Sequence, residues 1–421
     1  HTLYRISMLS TTFKRAKEAS LELATITPQK IDDIILAVAQ RLQDASEEIL
    51  AANAIDLSRM AVDNPLYDRL KLTSERIDGI LADMRKVATL PSPLGAVLKQ
   101  CTLENGLKLT RISVPFGVIG IVYEARPNVT IDVFSLCLKA GSSCVLKGGK
   151  DADATNRKVV EIIRKALADN GVNPDIITLL PATHEATAEM LHANGIIDLV
   201  IPRGSKRLID FVRKEATVPV IETGAGVCHA YYDKGADIEK GCRIINNAKT
   251  RRVSVCNALD CLLIHRERKA DLLAIADILQ QSNVEIYADK ESLDIRSGSY
   301  PAELMHEATE ESYGTEFLSY AMAVKCVSDA EEAMAHIRAY GSGHSECIIT
   351  EDDETARRFL MHVDAACVYH NVPTSFTDGA QFGLGAEIGI STQKLHARGP
   401  MALEEICTYK WIIEGDGQVR P

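Results

Sequence analysis

From residue 116 onward, short apolar runs alternate with helical stretches at close spacing, which restricts the chain to an α/β fold built on parallel strands. Residues 116–123 form a β-branched run of the kind buried on both faces of a sheet, and 129–139 read as the following helix. A short strand over 144–146 leads to a helix over 154–170 that stops at Gly171. A strand at 176–180, a helix over 184–194, a strand at 198–201, a helix over 205–213 and a strand at 218–221 continue the pattern. It restarts after Gly226 with a helix over 238–248, a strand at 261–264 and a helix near 269–281. The second half thus reads as a second α/β lobe, ending in the glycine-rich stretch 379–389. Upstream, residues 11–87 are helical, with Ile31, Ile34, Ile35, Val38 and Leu42 recurring at helical spacing, and 107–113 alternate like a short strand.

A length of 421 residues exceeds one ordinary core and agrees with two lobes. The formal net charge of −11 repels nucleic acid and anionic membranes, so neither is an expected partner, whereas small anions remain open to local basic clusters. No run of about 18 apolar residues suggests a membrane span. Residues 11–26 are amphipathic rather than uniformly apolar, so a signal peptide is not expected and the chain reads as cytoplasmic. Residues 1–7 contain no methionine, and Met8 reads as the native start. Eleven cysteines without a Cys-x-x-Cys pair indicate reduced thiols, most of them small core residues.

The dinucleotide fingerprint Gly-x-Gly-x-x-Gly and the phosphate-loop pattern are both absent. Two strand ends are nevertheless prepared for an anionic ligand. Lys147-Gly148-Gly149-Lys150 places two ammonium groups and two glycines where a buried strand emerges. Pro202-Arg203-Gly204-Ser205 opens a strand into a helix N-terminus, where backbone N–H groups favour a pyrophosphate. Cys256 follows Lys249, Arg251 and Arg252, and nearby cations lower a thiol pKa from about 8.5. No histidine lies close to it in the chain, and pairing with a distant one stays open. His184 and His192 lack a carboxylate cluster and read as surface residues, so no metal is expected.

Read together, these segments resemble the aldehyde dehydrogenase superfamily, and within it the γ-glutamyl phosphate reductase family. The likeness spans nearly the whole chain. It is carried by Val114-Pro115-Phe116-Gly117-Val118-Ile119-Gly120, Tyr123-Glu124-Ala125-Arg126-Pro127-Asn128-Val129-Thr130, Ser254-Val255-Cys256-Asn257-Ala258, Phe376-Thr377-Asp378-Gly379 and Gln381-Phe382-Gly383-Leu384-Gly385-Ala386-Glu387. The most distinctive string is Ser391-Thr392-Gln393-Lys394-Leu395-His396-Ala397-Arg398-Gly399-Pro400. Two departures stand out: Val253 replaces the proline expected before Ser254, and Ser375 replaces an arginine that would suit a substrate carboxylate.

The resemblance implies a Rossmann-like cofactor domain over 1–100 and 114–226, and an α/β catalytic domain over 227–400. It further implies a small β-strand oligomerisation arm over 101–113 and 401–421 and hence a homo-oligomer. The implied activity is that of a glutamate-5-semialdehyde dehydrogenase of proline biosynthesis, reducing L-γ-glutamyl 5-phosphate with NADPH through a cysteine thioester. Cys256 is then the nucleophile and Asn128 an oxyanion donor. Lys147, Gly148, Gly149, Lys150, Gly204, Ser205 and Glu316 would hold the NADPH, and Arg126, Lys394 and Arg398 are the candidates for substrate. The alternative is a hydrolytic aldehyde dehydrogenase, for which Glu222 matches the water-activating base. The first ~100 residues are helical and too short for a fused amino-acid kinase domain, so a separate glutamate kinase is expected to supply the substrate.

Overall fold

The computed structural model describes residues 9–293 and 300–421. The reading of Met8 as the native start lies outside them. Contacts divide the chain into two units, His1–Thr223 with Leu384–Gly389 and Met401–Pro421, and Gly224–Gly383 with Ile390–Pro400.

The strands of the first unit up to residue 223 are β1 (Val97–Thr102), β2 (Lys108–Pro115), β3 (Val118–Tyr123), β4 (Ser143–Lys147), β5 (Ile177–Leu179) and β6 (Leu199–Arg203). Four of them form a parallel sheet in the order β5-β4-β3-β6, with Ile121 opposite Leu146 on one side and Ile201 on the other. Every β3 residue is buried, as the unbroken apolar run requires. Helices Pro28–Asp44 and Ser74–Thr89 begin at threonines whose hydroxyls accept N–H bonds from the first turn, Thr27 from Lys30 and Thr73 from Arg76. The helix Asn128–Lys139 is buried almost all round, and its Lys139 ammonium meets Asp32 Oδ1 at 2.5 Å. That contact compensates a charge otherwise costly to bury. A separate antiparallel ribbon joins β1, β2 and the strand Cys407–Glu414, with Trp411 opposite Arg111.

The expected strand at 218–221 is a correction. Only a single bridge, Val200 to Val220, forms there. Pro219 has no N–H to give a ladder, and the segment meets β6 through the Pro219 carbonyl, which accepts the Val200 N–H, and the Ile221 N–H, which donates to the Val200 carbonyl. Similarly, the helix expected near 269–281 begins as a 3₁₀ stretch, Arg266–Asp271, and becomes α-helical over Leu272–Gln280.

In the second unit, β7 (Cys228–Tyr232), β8 (Leu259–His265), β9 (Glu285–Ala288), β10 (Met305–Glu307), β11 (Ala321–Val327), β12 (Ser345–Ile349) and β13 (Cys367–His370) pair in the order β10-β9-β11-β8-β7-β12-β13, all parallel. Alternate residues enter different cores. Ala230, Tyr232, Leu262, Ile264, Met322 and Val324 pack in one, and Tyr231, Cys261, Leu263, Ala323 and Val327 in the other. This two-sided burial follows from the period-2 alternation of strand side chains. Among the described residues, no helix is long and apolar enough to cross a membrane.

Candidate active site

Cys256 lies in the turn between the helix Ile238–Thr250 and β8. The turn is pinned from several directions. Asn257 Nδ2 donates to the Ser375 and Thr377 carbonyls at 3.3 and 3.0 Å, while Thr374 Oγ1 donates to the Asn257 carbonyl at 2.8 Å. The Cys228 thiol donates to the Cys256 carbonyl at 3.3 Å. Gly226 must be glycine here, because a Cβ on it would lie 1.7 Å from the Cys256 carbonyl oxygen. Cys256 itself is half-buried, whereas eight of the other ten cysteines are fully buried.

The histidine partner left open by the sequence is present. His344 Nε2 lies 3.2 Å from Cys256 Sγ. The imidazole is fully buried, and burial lowers its pKa to about 4, so the ring is neutral near pH 7. Its Nδ1 lies 2.7 Å from Ser345 Oγ, which in turn contacts Thr377 Oγ1 at 2.6 Å, and Thr377 Oγ1 meets the Tyr369 hydroxyl at 2.7 Å. Sequence reasoning missed His344 because it is 88 residues from Cys256. Its one local signal is a histidine directly after Gly341-Ser342-Gly343, at the mouth of a buried strand.

The cations preceding Cys256 are distributed differently from a simple cluster. Lys249 is buried, donates to the Leu259 carbonyl at 2.8 Å, and has its pKa lowered to about 8 by burial, against the pull of Asp260. Arg251 and Arg252 are exposed. Asp260 is raised to about 7 by burial and accepts N–H bonds from Phe317 and Cys228. Glu316 Oε1 accepts the Gly226 N–H at 3.1 Å, and burial raises its pKa. Lys394 and Arg398, both substrate candidates, share the Asp364 carboxylate at 2.5 and 2.9 Å.

Within the first unit, β4 and β6 end as the sequence indicated. Lys147 is half-buried, and its pKa is lowered by burial and then by the charge of Lys150. A Cβ on Gly148 would lie 2.4 Å from Asn156 Nδ2, a buried donor with no partner. Ser205 caps the helix Lys206–Glu215, and its N–H and Oγ both donate to the Glu124 carboxylate, at 2.9 and 2.8 Å. The helix start therefore already binds an oxyanion of this chain. An oxyanion is the kind of group that the N–H donors of a helix N-terminus favour. Asn128 opens the helix Asn128–Lys139 and donates to Asp132 Oδ2 at 3.0 Å. Arg126 is exposed. Glu222 lies 3.8 Å from the Arg213 guanidinium. His184 and His192 are on the surface.

Comparison with known proteins adds to this geometry. A model of the aldehyde dehydrogenase family matches residues 7–286. A γ-glutamyl phosphate reductase of Bacteroides thetaiotaomicron is 61% identical over 98% of this chain and 99% of its own length. One from Parabacteroides distasonis is 60% identical over 97% of this chain and 98% of its own. The crystal structure of γ-glutamyl phosphate reductase from Thermotoga maritima superposes with a TM-score of 0.95 at 40% identity, covering 98% of this chain and 100% of that one.

Proposed function

Because the chain belongs to the aldehyde dehydrogenase family, in its γ-glutamyl phosphate reductase branch, we propose that it reduces L-γ-glutamyl 5-phosphate to L-glutamate 5-semialdehyde with NADPH, releasing phosphate. The observation that carries this reading is the 61% identity along nearly the full length of a reductase of that name.

Chemically, the Cys256 sulfur attacks the acyl carbon and phosphate leaves, giving a thioester. A thioester accepts hydride more readily than a carboxylate, whose charge and resonance resist it. NADPH, when bound, supplies that hydride. Collapse of the resulting thiohemiacetal releases the aldehyde and frees the Cys256 sulfur, which takes a proton from solvent to return to the thiol. Each tetrahedral stage develops an oxyanion, for which the Cys256 N–H and the Asn128 amide are the proposed donors, each worth about 10²–10³ in rate. Lys147, Gly148, Gly149, Lys150, Gly204, Ser205 and Glu316 would hold the dinucleotide, with Glu124 yielding the Ser205 donors to the pyrophosphate. Arg126, Lys394 and Arg398 remain the proposed substrate contacts. Residues 101–113 and 401–421 are the proposed oligomerisation arm, supported by exposed Leu103, Trp411 and Ile413. The proposed setting is the cytoplasm, with a separate glutamate kinase supplying the substrate.

The reverse reaction tests the reading. Reduction of NADP⁺ with glutamate semialdehyde should require inorganic phosphate, because phosphate must cleave the thioester. Turnover at an equal rate without phosphate would instead indicate hydrolysis by water. In the same assay, Glu222→Gln should keep turnover within about tenfold, or about 1.4 kcal/mol. A loss of about 10³ would point to Glu222 as a water-activating base.

Cofactor choice gives another expectation. Lys150 places a second ammonium near Lys147, and no carboxylate lies within Lys147-Gly148-Gly149-Lys150. A charge-assisted contact to a 2′-phosphate is worth about 1.5–3 kcal/mol, which predicts a preference for NADPH over NADH of about 10- to 100-fold in kcat/KM. Lys150→Glu should lower that ratio with little effect on NADH turnover. An unchanged ratio in the variant would show that Lys150 is not the group that discriminates NADPH from NADH.

A further inference from the structure

We propose that His344 is a catalytic residue: its Nε2 takes the Cys256 thiol proton as sulfur attacks the acyl carbon, and returns it to the departing phosphate oxygen. The inference rests on Cys256 being the nucleophile, as proposed above. The geometry is direct, with Nε2 3.2 Å from Sγ. A fully buried imidazole needs partners for both nitrogens, and here one partner is the reacting sulfur. The other nitrogen sits 2.7 Å from Ser345 Oγ, at the head of the hydroxyl chain through Thr377 to Tyr369. With Nδ1–H donated to Ser345, the Nε2 lone pair faces the S–H bond, which is the tautomer a base requires. Cys228 Sγ is 3.9 Å from Nδ1, and burial raises its pKa, so it stays a thiol and does not compete for the proton.

The step balances without an outside reactant. The S–C bond forms, the C–O bond to phosphate breaks, and the thiol proton passes through Nε2 to the leaving oxygen. Phosphate departs as its monoprotonated dianion, and the imidazole ends neutral. Burial keeps the His344 imidazole neutral at rest, so its Nε2 lone pair is available to the thiol proton and the imidazolium exists only in passing.

His344→Gln keeps a side chain of similar reach without a base. It should lower kcat of the phosphate-dependent reverse reaction by about 10²–10³, the usual share of general acid–base catalysis, with NADPH affinity within about twofold. Activity within about threefold of wild type would overturn the assignment. Should the variant fail to fold, the wild-type protein still answers through iodoacetamide alkylation of Cys256 between about pH 6 and 8. An isolated thiol of pKa about 8.5 slows nearly tenfold per pH unit across that range. An imidazole-assisted thiol should slow by less than about tenfold in total. The full hundredfold decline would overturn the proposal. In a folded His344→Gln the steep decline should return, which a purely packing role would not cause. Loss of the nucleophile reading looks different: Cys256→Ala would then remain active.

Discussion

Cys256→Ala should lose turnover by about 10⁴-fold or more while still binding NADPH, because it removes the sulfur proposed to form the thioester. The half-buried thiol is open to reagents that the eight buried cysteines exclude, so iodoacetamide should label it ahead of them, and activity should fall in step with labelling. The measurement pairs reverse-direction kcat with NADPH binding by fluorescence. Retention of more than about a tenth of wild-type activity would refute covalent catalysis at this residue. Loss of both activity and NADPH binding would mean the substitution had disturbed more than the nucleophile.

Gly226→Ala should also have a large effect, although it removes no reactive group. Its Cβ would lie 1.7 Å from the Cys256 carbonyl oxygen, so the start of β7 or the nucleophile turn must move. A displacement of about 1 Å at a reacting group costs about 10² in rate, and overpacking costs about 1–3 kcal/mol of stability. We expect kcat to fall by about 10²-fold or more, with a lower Tm. Gly79→Ala is the control, because nothing lies within 4 Å of its Cβ and the residue is inside the helix Ser74–Thr89. That change should raise Tm slightly and leave kcat alone. Equal kcat values in the two variants would show that the Gly226 contact does not hold the turn.

Sequence and structure part company where a feature depends on what lies across a sheet. β3 and β4 were legible because parallel strands buried on both faces are continuous apolar runs. β7 was harder to read, since His229 interrupts its apolar run. The interruption is satisfied by Glu346, whose carboxylate accepts from the His229 backbone N–H at 2.8 Å and lies 3.0 Å from Nδ1. That partner arrives only when β12 pairs with β7. The same pairing logic hid His344. Conversely, Lys249 and Cys256 are close in sequence, yet the ammonium is committed to the Leu259 carbonyl, a choice made by the packing of one helix turn. Pro219 is visible in the sequence, and its missing N–H denies 218–221 the ladder that a strand needs. Ser205 and Lys147 were placed correctly on strand ends, but the occupation of Ser205 by Glu124 depends on the crossover between β3 and β6.

The ribbon that joins β2 to Cys407–Glu414 has a consequence for synthesis on the ribosome. β2 ends at Pro115, and its partner begins only at Cys407, after the bulk of the second unit has been made. At roughly 5–20 residues per second, β2 waits on the order of 15–60 s with one edge unpaired. During that interval the nascent chain also lacks Ile406 and Cys407, which are fully buried once in place. The first unit to emerge is thus among the last to close, and the growing polypeptide carries an open, sticky β edge through most of its translation.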